Sequence, residues 1–386
     1  MTSQTNNPLT EKTALILPGG GARAAYQVGV LKALAEQKSS IATNPFPILC
    51  GTSAGALNAV ALASREENFA NSCKWLEDLW LNLQTDLVYR SDWTGMTLNV
   101  WRLFLSLINS GVAVGRPVAL LDNLPLKQLL KKKIDFSGIG RNIQSGHLNA
   151  VCVTAMNYTE GVSVSFYQGG PDNAEWQRWR RQGIPTPLEL RHLLASTAIP
   201  TIFPPQRVGR NYYGDGALRQ LTPISPALHL GAEKILIVST TGHKRNYDKP
   251  YRRIHSPAFG QIIGHLLNSA FVDSLETDIE LLEQMNRLLE KIPNDIANQD
   301  GRFLKPIDIQ VISPSEDIDY IADKYVQTLP RSVRTFLRIS GGSSSDGGAN
   351  LASYLLFTPA FCQRLIDLGY KDGKNQMDDI LQFLQR

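Results

Sequence analysis

The sequence predicts an α/β fold in which a mainly parallel sheet carries helices on its faces. Three observations predict it. Residues 13–17 are a short apolar run that breaks at Pro18-Gly19-Gly20-Gly21 and gives way to a helical pattern. Residues 47–50 are a second such run, broken at Gly51-Thr52-Ser53-Ala54-Gly55 and followed by an apolar helix. Residues 234–240 (KILIVST) form a continuous apolar run of strand length. Strand, glycine turn and helix, repeated twice, is the βαβα order of a parallel sheet.

Each element follows in order. Residues 1–12 are polar and are expected to be flexible. After the first glycine turn, Tyr26, Val30 and Leu34 recur at helical spacing. Ala22, Ala25, Gly29 and Ala33 make a second, small-residue stripe suited to close packing on a sheet. The helix behind Ser53 continues to about Ser64, and 66–83 is helical, with Trp75, Leu79 and Leu83 on one side. A helix begins near Pro125 and closes at Lys131-Lys132-Lys133. Residues 148–156 and 162–167 alternate like a strand pair, and 168–187 is expected to be a loop. Residues 188–195 are helical, and the IPTIFPP that follows cannot continue a helix. Residues 257–291 carry one or two helices, 307–312 are the last strand, 341–350 are a Gly/Ser-rich loop, and the chain is helical from Thr358 onward.

Composition sets outer limits. Of 386 residues, 43% are hydrophobic and 19% charged, with a formal net charge of +4. This is an ordinary globular balance, too mildly basic to argue for nucleic acid. Cys50, Cys73, Cys152 and Cys362 show no C-x-x-C spacing and lie in apolar surroundings. That fits reduced core thiols and a cytoplasmic setting. The opening MTSQTNNPLTEK has no basic segment followed by an apolar one, so no secretory signal is expected. No apolar run approaches the ~20 residues of a membrane span. Any membrane contact is therefore expected to be peripheral.

The chemistry concentrates in two glycine turns and one aspartate. Ser53 stands on a sharp strand-to-helix turn, which lifts its hydroxyl clear of the sheet, and the glycines on either side let the backbone turn tightly. The helix N-terminus behind it offers free N–H groups and a positive dipole end, both suited to a tetrahedral oxyanion. The bland alternative is a helix-capping serine. Gly19-Gly20-Gly21-Ala22-Arg23 is a concave run of backbone amides that fits a phosphate cradle or an oxyanion hole. A dinucleotide fingerprint needs glycine where Ala24 stands, and no GK[ST] follows. The loop also lies one βα unit before Ser53, so both turns should leave the same sheet edge, which favours the oxyanion role. Arg23 supports the loop, attracts an anionic head group or makes a surface salt bridge.

A nucleophilic serine needs a base, and none of the six histidines lies in a motif. Asp215 lies between two glycines, in Tyr213-Gly214-Asp215-Gly216-Ala217, so its carboxylate is presented on bare backbone. The apolar, proline-rich run 194–205 just upstream suits a dry neighbourhood. By itself, an Asp-Gly step is more often a turn.

In order and spacing, residues 19–23, 51–55, 195–205 and 215–217 resemble the four blocks of the patatin-like phospholipases, across roughly residues 13–240. The resemblance implies a three-layer α/β/α fold. Residues 13–240 would be the catalytic domain, and 241–386 a mainly helical extension packed on the same core. It implies a Ser-Asp dyad without histidine, with Ser53 as nucleophile and Asp215 as proton acceptor. The backbones of Gly20 and Gly21 would be oxyanion donors, with Gly19, Arg23, Gly51, Gly55 and Gly216 supporting the motifs. The implied substrate is a lipid ester. Ala24 departs from the glycine the family often has there, and Ala217 is a variant it allows. The chain has neither HExxH nor a Ca²⁺ loop, so no metal or other cofactor is expected.

On this reading Ser53 attacks an ester carbonyl while Asp215 takes its proton. A carboxylate of pKa ~3.9 is a weak base for an alcohol and needs a dry site, and activity should fall in acid. Three rivals stay open. One is an α/β-hydrolase using His243, against which the closeness of the glycine loop to Ser53 argues. Another is a non-catalytic lipid-binding regulator on the same scaffold, and the third a nucleotide site at the glycine loop. Residues 97–110, with Trp93 and Trp101, are either a cap over the site or a core helix. The cluster Trp176, Arg178, Trp179, Arg180 and Arg181 suits a lipid boundary or a solvated loop equally.

Overall fold

A computed structural model describes residues 12–37, 44–65, 68–92, 119–220, 222–242, 259–291, 305–340 and 351–385. The stretch 97–110, Trp93, Trp101, His243 and the run 341–350 lie outside the described residues.

The strands are β1 (Thr13–Leu17), β2 (Ile48–Thr52), β3 (Ala150–Asn157), β4 (Val162–Gly169), β5 (Trp176–Arg178), β6 (Arg181–Pro185), β7 (Gln206–Val208), β8 (Asn211–Asp215), β9 (Lys234–Val238) and β10 (Asp308–Ile312). They form one sheet in the order β10-β9-β1-β2-β3-β4-β6-β5, with β8 joining β3 and β7 joining β8. From β10 to β3 every neighbour is parallel, and β4 then turns back antiparallel. Parallel strands need cover on both faces, and β1, β2 and β9 are buried at every position.

Alternation sorts their side chains into two cores. Leu15, Leu17, Leu49, Val151, Leu236 and Val238 enter one, beneath α1 (Ala25–Ala35), α2 (Ala54–Ala63) and α3 (Phe69–Leu81). Ile16, Ile48, Cys50, Cys152, Ile235 and Ile237 enter the other, where helices Ser225–His229 and Ser274–Leu289 supply Ala227, Leu275 and Ile279. The result is the three-layer α/β/α arrangement. Every residue of α2 is buried, as a helix that is apolar nearly all round requires. No described helix is long and apolar enough to cross a membrane.

Two expectations are corrected. The small-residue stripe of α1 does not lie on the sheet. Gly29 meets the helix Pro359–Asn375 so closely that a Cβ on it would lie 2.0 Å from the Ile366 carbonyl oxygen. Gly369 returns the contact, its Cβ position lying 2.0 Å from the Tyr26 carbonyl oxygen. Periodicity shows which residues share a face, but not what that face meets.

The second correction is 168–187, which is no loop, for β5 and β6 pair there as a hairpin. Trp176 sits opposite Gly183, where an added Cβ would fall 2.3 Å from the indole. The missing side chain lets the indole lie down over the strand. The ring stacks between Tyr167 and His229, each with its centroid 4.9 Å away, and is buried, so it is no lipid contact.

Candidate active site

Strand register assembles the site. Thr52, the last residue of β2, pairs with Thr154 of β3, so Ser53 follows at the level of Ala155. Ala155 pairs in turn with Asp215, at the end of β8. Leu17 pairs with Gly51, which carries the chain after β1, Pro18-Gly19-Gly20-Gly21, to the same edge. Three sequence segments far apart in the chain thus end on one row of the sheet.

Ser53 has φ 55° and ψ −129°, a region that side-chain-bearing residues rarely occupy. Such a conformation costs of order 1–3 kcal/mol and persists only where its surroundings hold it. Here the N–H of Ser53 donates to Ser196 Oγ at 2.8 Å, and that hydroxyl donates to the Thr154 carbonyl at 2.7 Å. Ser196 ends the helix α4 (Leu190–Ser196). Gly51 and Gly55 make room: a Cβ on Gly55 would lie 2.0 Å from the Leu17 carbonyl oxygen, and one on Gly51 2.5 Å from Ala56 Cα.

Asp215 is buried, at 1% exposure. Its N–H donates to the Ala198 carbonyl at 2.9 Å, and its Oδ1 accepts the Ala217 N–H at 3.0 Å. Gly216 presses on β3, with its Cβ position 2.2 Å from the Thr154 carbonyl oxygen. Burial pushes the carboxyl pKa up to about 7, against the pull of the Ser53 hydroxyl and the Ala217 N–H. Yet Oδ2 is buried with no partner at full hydrogen-bonding geometry. The Ser53 hydroxyl lies close enough to the carboxyl to favour its charged form.

Across the edge, Gly21 has φ +55°, and its Cβ position falls 2.3 Å from the carbonyl oxygen of Tyr354. Thr240 Oγ1, just past β9, donates to the Gly19 carbonyl at 2.8 Å. The short 3₁₀ turn Gly21–Ala24 then starts the helix, so its first N–H groups have no partner within it. One edge thus holds a backbone-strained serine, a carboxylate with a raised pKa and a glycine loop at a helix start.

The chain matches the family model described as Patatin-like phospholipase over residues 15–228, more than half its length. It belongs to the patatin-like phospholipase family. Among curated proteins none matches. Three solved structures show some similarity. VipD from Legionella pneumophila is 12% identical with TM-score 0.36, the alignment covering 97% of this chain and 67% of that one. Human GIVD cytosolic phospholipase A2 is 13% identical with TM-score 0.46, covering 97% and 60%. The same human protein in complex with methyl gamma-linolenyl fluorophosphonate is 13% identical with TM-score 0.44, covering 100% and 60%. The chain thus spans about 60% of the human enzyme's length.

In this patatin-like chain Arg23 is neither on the surface nor open to a head group. It is 1% exposed. Its Nη2 donates to Asp319 Oδ1 at 2.5 Å, its Nε donates to Ser353 Oγ at 2.8 Å, and its guanidinium lies 4.0 Å from the Tyr354 ring centroid. Burial works against the charge, but Asp319, Tyr354 and Asp317 more than restore it, and the pKa is raised. Arg23 therefore ties the glycine loop to segments near residues 319 and 353. Only the folded chain supplies those partners.

Other supporting residues escape motif reading. Gln27 Nε2 donates to the carbonyls of Pro18 and Val238, at 2.9 and 3.1 Å. Asn58 Nδ2 donates to Gln27 Oε1 at 2.9 Å, and the Trp80 indole N–H donates to Asn58 Oδ1 at 2.8 Å. This buried chain fixes α1, α2 and the glycine loop to one another. The signal was present: Asn58 is the lone polar residue of an otherwise apolar helix and Gln27 lies in a largely apolar one, and a buried polar group needs a partner. Ser196 lies in the 195–205 block, but nothing local pointed to its role.

Proposed function

We propose that this protein is a lipid acyl hydrolase, cleaving carboxylic esters through an acyl-enzyme on Ser53 with Asp215 as general base. The observation that carries the reading is a buried carboxyl of raised pKa within reach of the hydroxyl of a serine held in a strained conformation. Ser53 Oγ attacks the carbonyl carbon as its proton passes to Asp215. The N–H groups of Gly20 and Gly21 hold the oxyanion. The tetrahedral intermediate collapses, the carbon–oxygen bond to the leaving alcohol breaks, and Asp215 returns the proton to that oxygen. Water then repeats the sequence, losing its proton to Asp215, releasing the fatty acid and restoring Ser53. A carboxyl of pKa about 7 is a far better base than an ordinary aspartate, which answers the weakness expected of Asp215. The substrate supports peripheral contact with a membrane.

Wild type, Ser53→Ala, Asp215→Asn and His243→Ala, assayed on phospholipid, lysophospholipid and short-chain ester, test the reading. Ser53→Ala and Asp215→Asn are expected to lose at least ~10³-fold in turnover. Ser53→Ala should also lose labelling by a fluorophosphonate, and His243→Ala should retain activity. Loss in His243→Ala with retention in Asp215→Asn would make the base a histidine.

Ser196→Ala removes the acceptor that holds the Ser53 N–H. It is expected to lower kcat on the order of tenfold with KM little changed, partly restored in Ser196→Thr. Equal losses in kcat for the Ala and Thr variants would mean that this hydroxyl does not position the nucleophile.

A further inference from the structure

The sheet edge that carries Ser53 and Asp215 also carries a rim of exposed arginines and aromatics that the chemistry does not use. Register places it. Arg181 pairs with Ser163, Ser163 with Met156, and Met156 with Gly214. Arg181 therefore stands on the row of Gly214, one residue from Asp215. Arg178 pairs with Arg181, so Trp179 and Arg180 are the two-residue tip of the β5–β6 hairpin, pointing out of the catalytic edge. Arg180 has φ 55°, the left-handed conformation of a tight turn.

Trp179 is 85% exposed, with the Arg180 guanidinium 5.3 Å from its ring centroid. A second tip, between β7 and β8, rises from the same edge with Arg207 and Arg210 exposed, followed by Tyr212. The β3–β4 turn between them presents Tyr158. The facing strands of the two hairpins, β8 and β6, are three strand spacings apart, about 14 Å. Exposed on these turns are Arg178, Arg180, Arg207 and Arg210, against the single carboxylate of Glu160, which accepts Asn211 Nδ2.

We propose that this rim is a docking surface for an anionic phospholipid bilayer, with Trp179 inserted at the headgroup level and the arginines paired to phosphates and acidic headgroups. The proposal rests on the lipid hydrolase reading for its purpose, but on geometry and charge for its place. Tryptophan is favoured at the membrane–water boundary because its ring is apolar and its N–H polar. Basic side chains at an anionic surface gain attraction that falls off within a Debye length. A rigid two-residue turn presents the ring at little entropic cost. Docked this way, the bilayer faces the open end of the strands that carry Ser53 and Asp215.

Co-sedimentation of the Ser53→Ala protein with vesicles tests this without turnover. The vesicles are phosphatidylcholine alone, or phosphatidylcholine mixed with phosphatidylserine. The parent is expected to bind the mixed vesicles much more strongly, and salt to weaken that binding. Trp179→Ala should reduce the partition coefficient about tenfold. Arg207→Glu with Arg210→Glu should reduce it by at least ~5-fold per arginine. In the Ser53-intact protein these variants should keep the wild-type Tm and the wild-type rate on a soluble short-chain ester. Binding unaffected by Trp179→Ala, or indifferent to phosphatidylserine, overturns the proposal. So does a parent that binds neither vesicle, which would leave the rim to a protein partner. If the lipid hydrolase reading were the one at fault, vesicle binding would persist while no lipid ester was cleaved.

Discussion

The kcat/KM for a soluble ester is expected to rise with pH through an apparent pKa of about 7, and Asp215→Asn to abolish turnover while stabilising the protein above neutrality. Both follow from one carboxyl. Its folded pKa is raised above the unfolded value of 3.8, so the folded state holds the proton more tightly than the unfolded chain does. The sign is therefore opposite to that of a salt-bridged aspartate. Stability falls as pH rises from about 4 to about 7, and above that the buried charge costs up to roughly 4 kcal/mol.

Asparagine keeps the oxygen that accepts the Ala217 N–H and replaces the buried Oδ2 with an uncharged amide. Tm measured near pH 5 and near pH 8 should show the variant gaining on wild type only at the higher pH. An acid limb near pH 4, or a variant less stable than wild type near pH 8, would mean that Asp215 is solvated and unperturbed.

Gly21→Ala is expected to be more damaging than Gly20→Ala, although the two residues are adjacent and both belong to the glycine loop. Gly21 has φ +55°, where a Cβ costs ~1–2 kcal/mol by itself. That Cβ would also meet the backbone of Tyr354 at 2.3 Å. Tyr354 cannot easily yield: its ring packs against Arg23 and its hydroxyl donates to Asn268. The loop must move instead, and with it the N–H groups proposed to hold the oxyanion. A loss of ~10²–10³ in kcat is expected, with a lower Tm. At Gly20 the three atoms nearest the added Cβ all belong to the Thr240 side chain, with Oγ1 at 2.7 Å. Rotating that side chain sacrifices its bond to the Gly19 carbonyl, a smaller perturbation. Turnover of a short-chain ester and Tm, measured on both variants, decide between them. Equal or larger damage at Gly20 would place the sensitive amide elsewhere.

Much of this architecture is legible because its signals are local. A strand that ends in glycines and restarts as a helix carries its turn chemistry in a handful of residues, and β1, β2 and β9 are continuous apolar runs. The β5–β6 hairpin was not legible. Its inward residues are few, and its stability comes from Trp176 lying over Gly183 and stacking with Tyr167 and His229, the last of which lies in a helix more than forty residues away. Asp215 is half legible. Its flanking glycines are visible in the chain, but its register against Ala155 is a property of the sheet.

The sequence by itself determined the parallel α/β class, the strained turn under Ser53 and the glycine loop before it. Each depends on residues within one turn of the chain, where backbone sterics act directly. Tertiary structure alone decided that Ser53 and Asp215 share a row, and that burial lifts the carboxyl pKa to about 7. It alone decided that Arg23 is locked inside by Asp319 and Ser353. Those outcomes depend on desolvation and on partners 100 or more residues distant, and no local pattern encodes either.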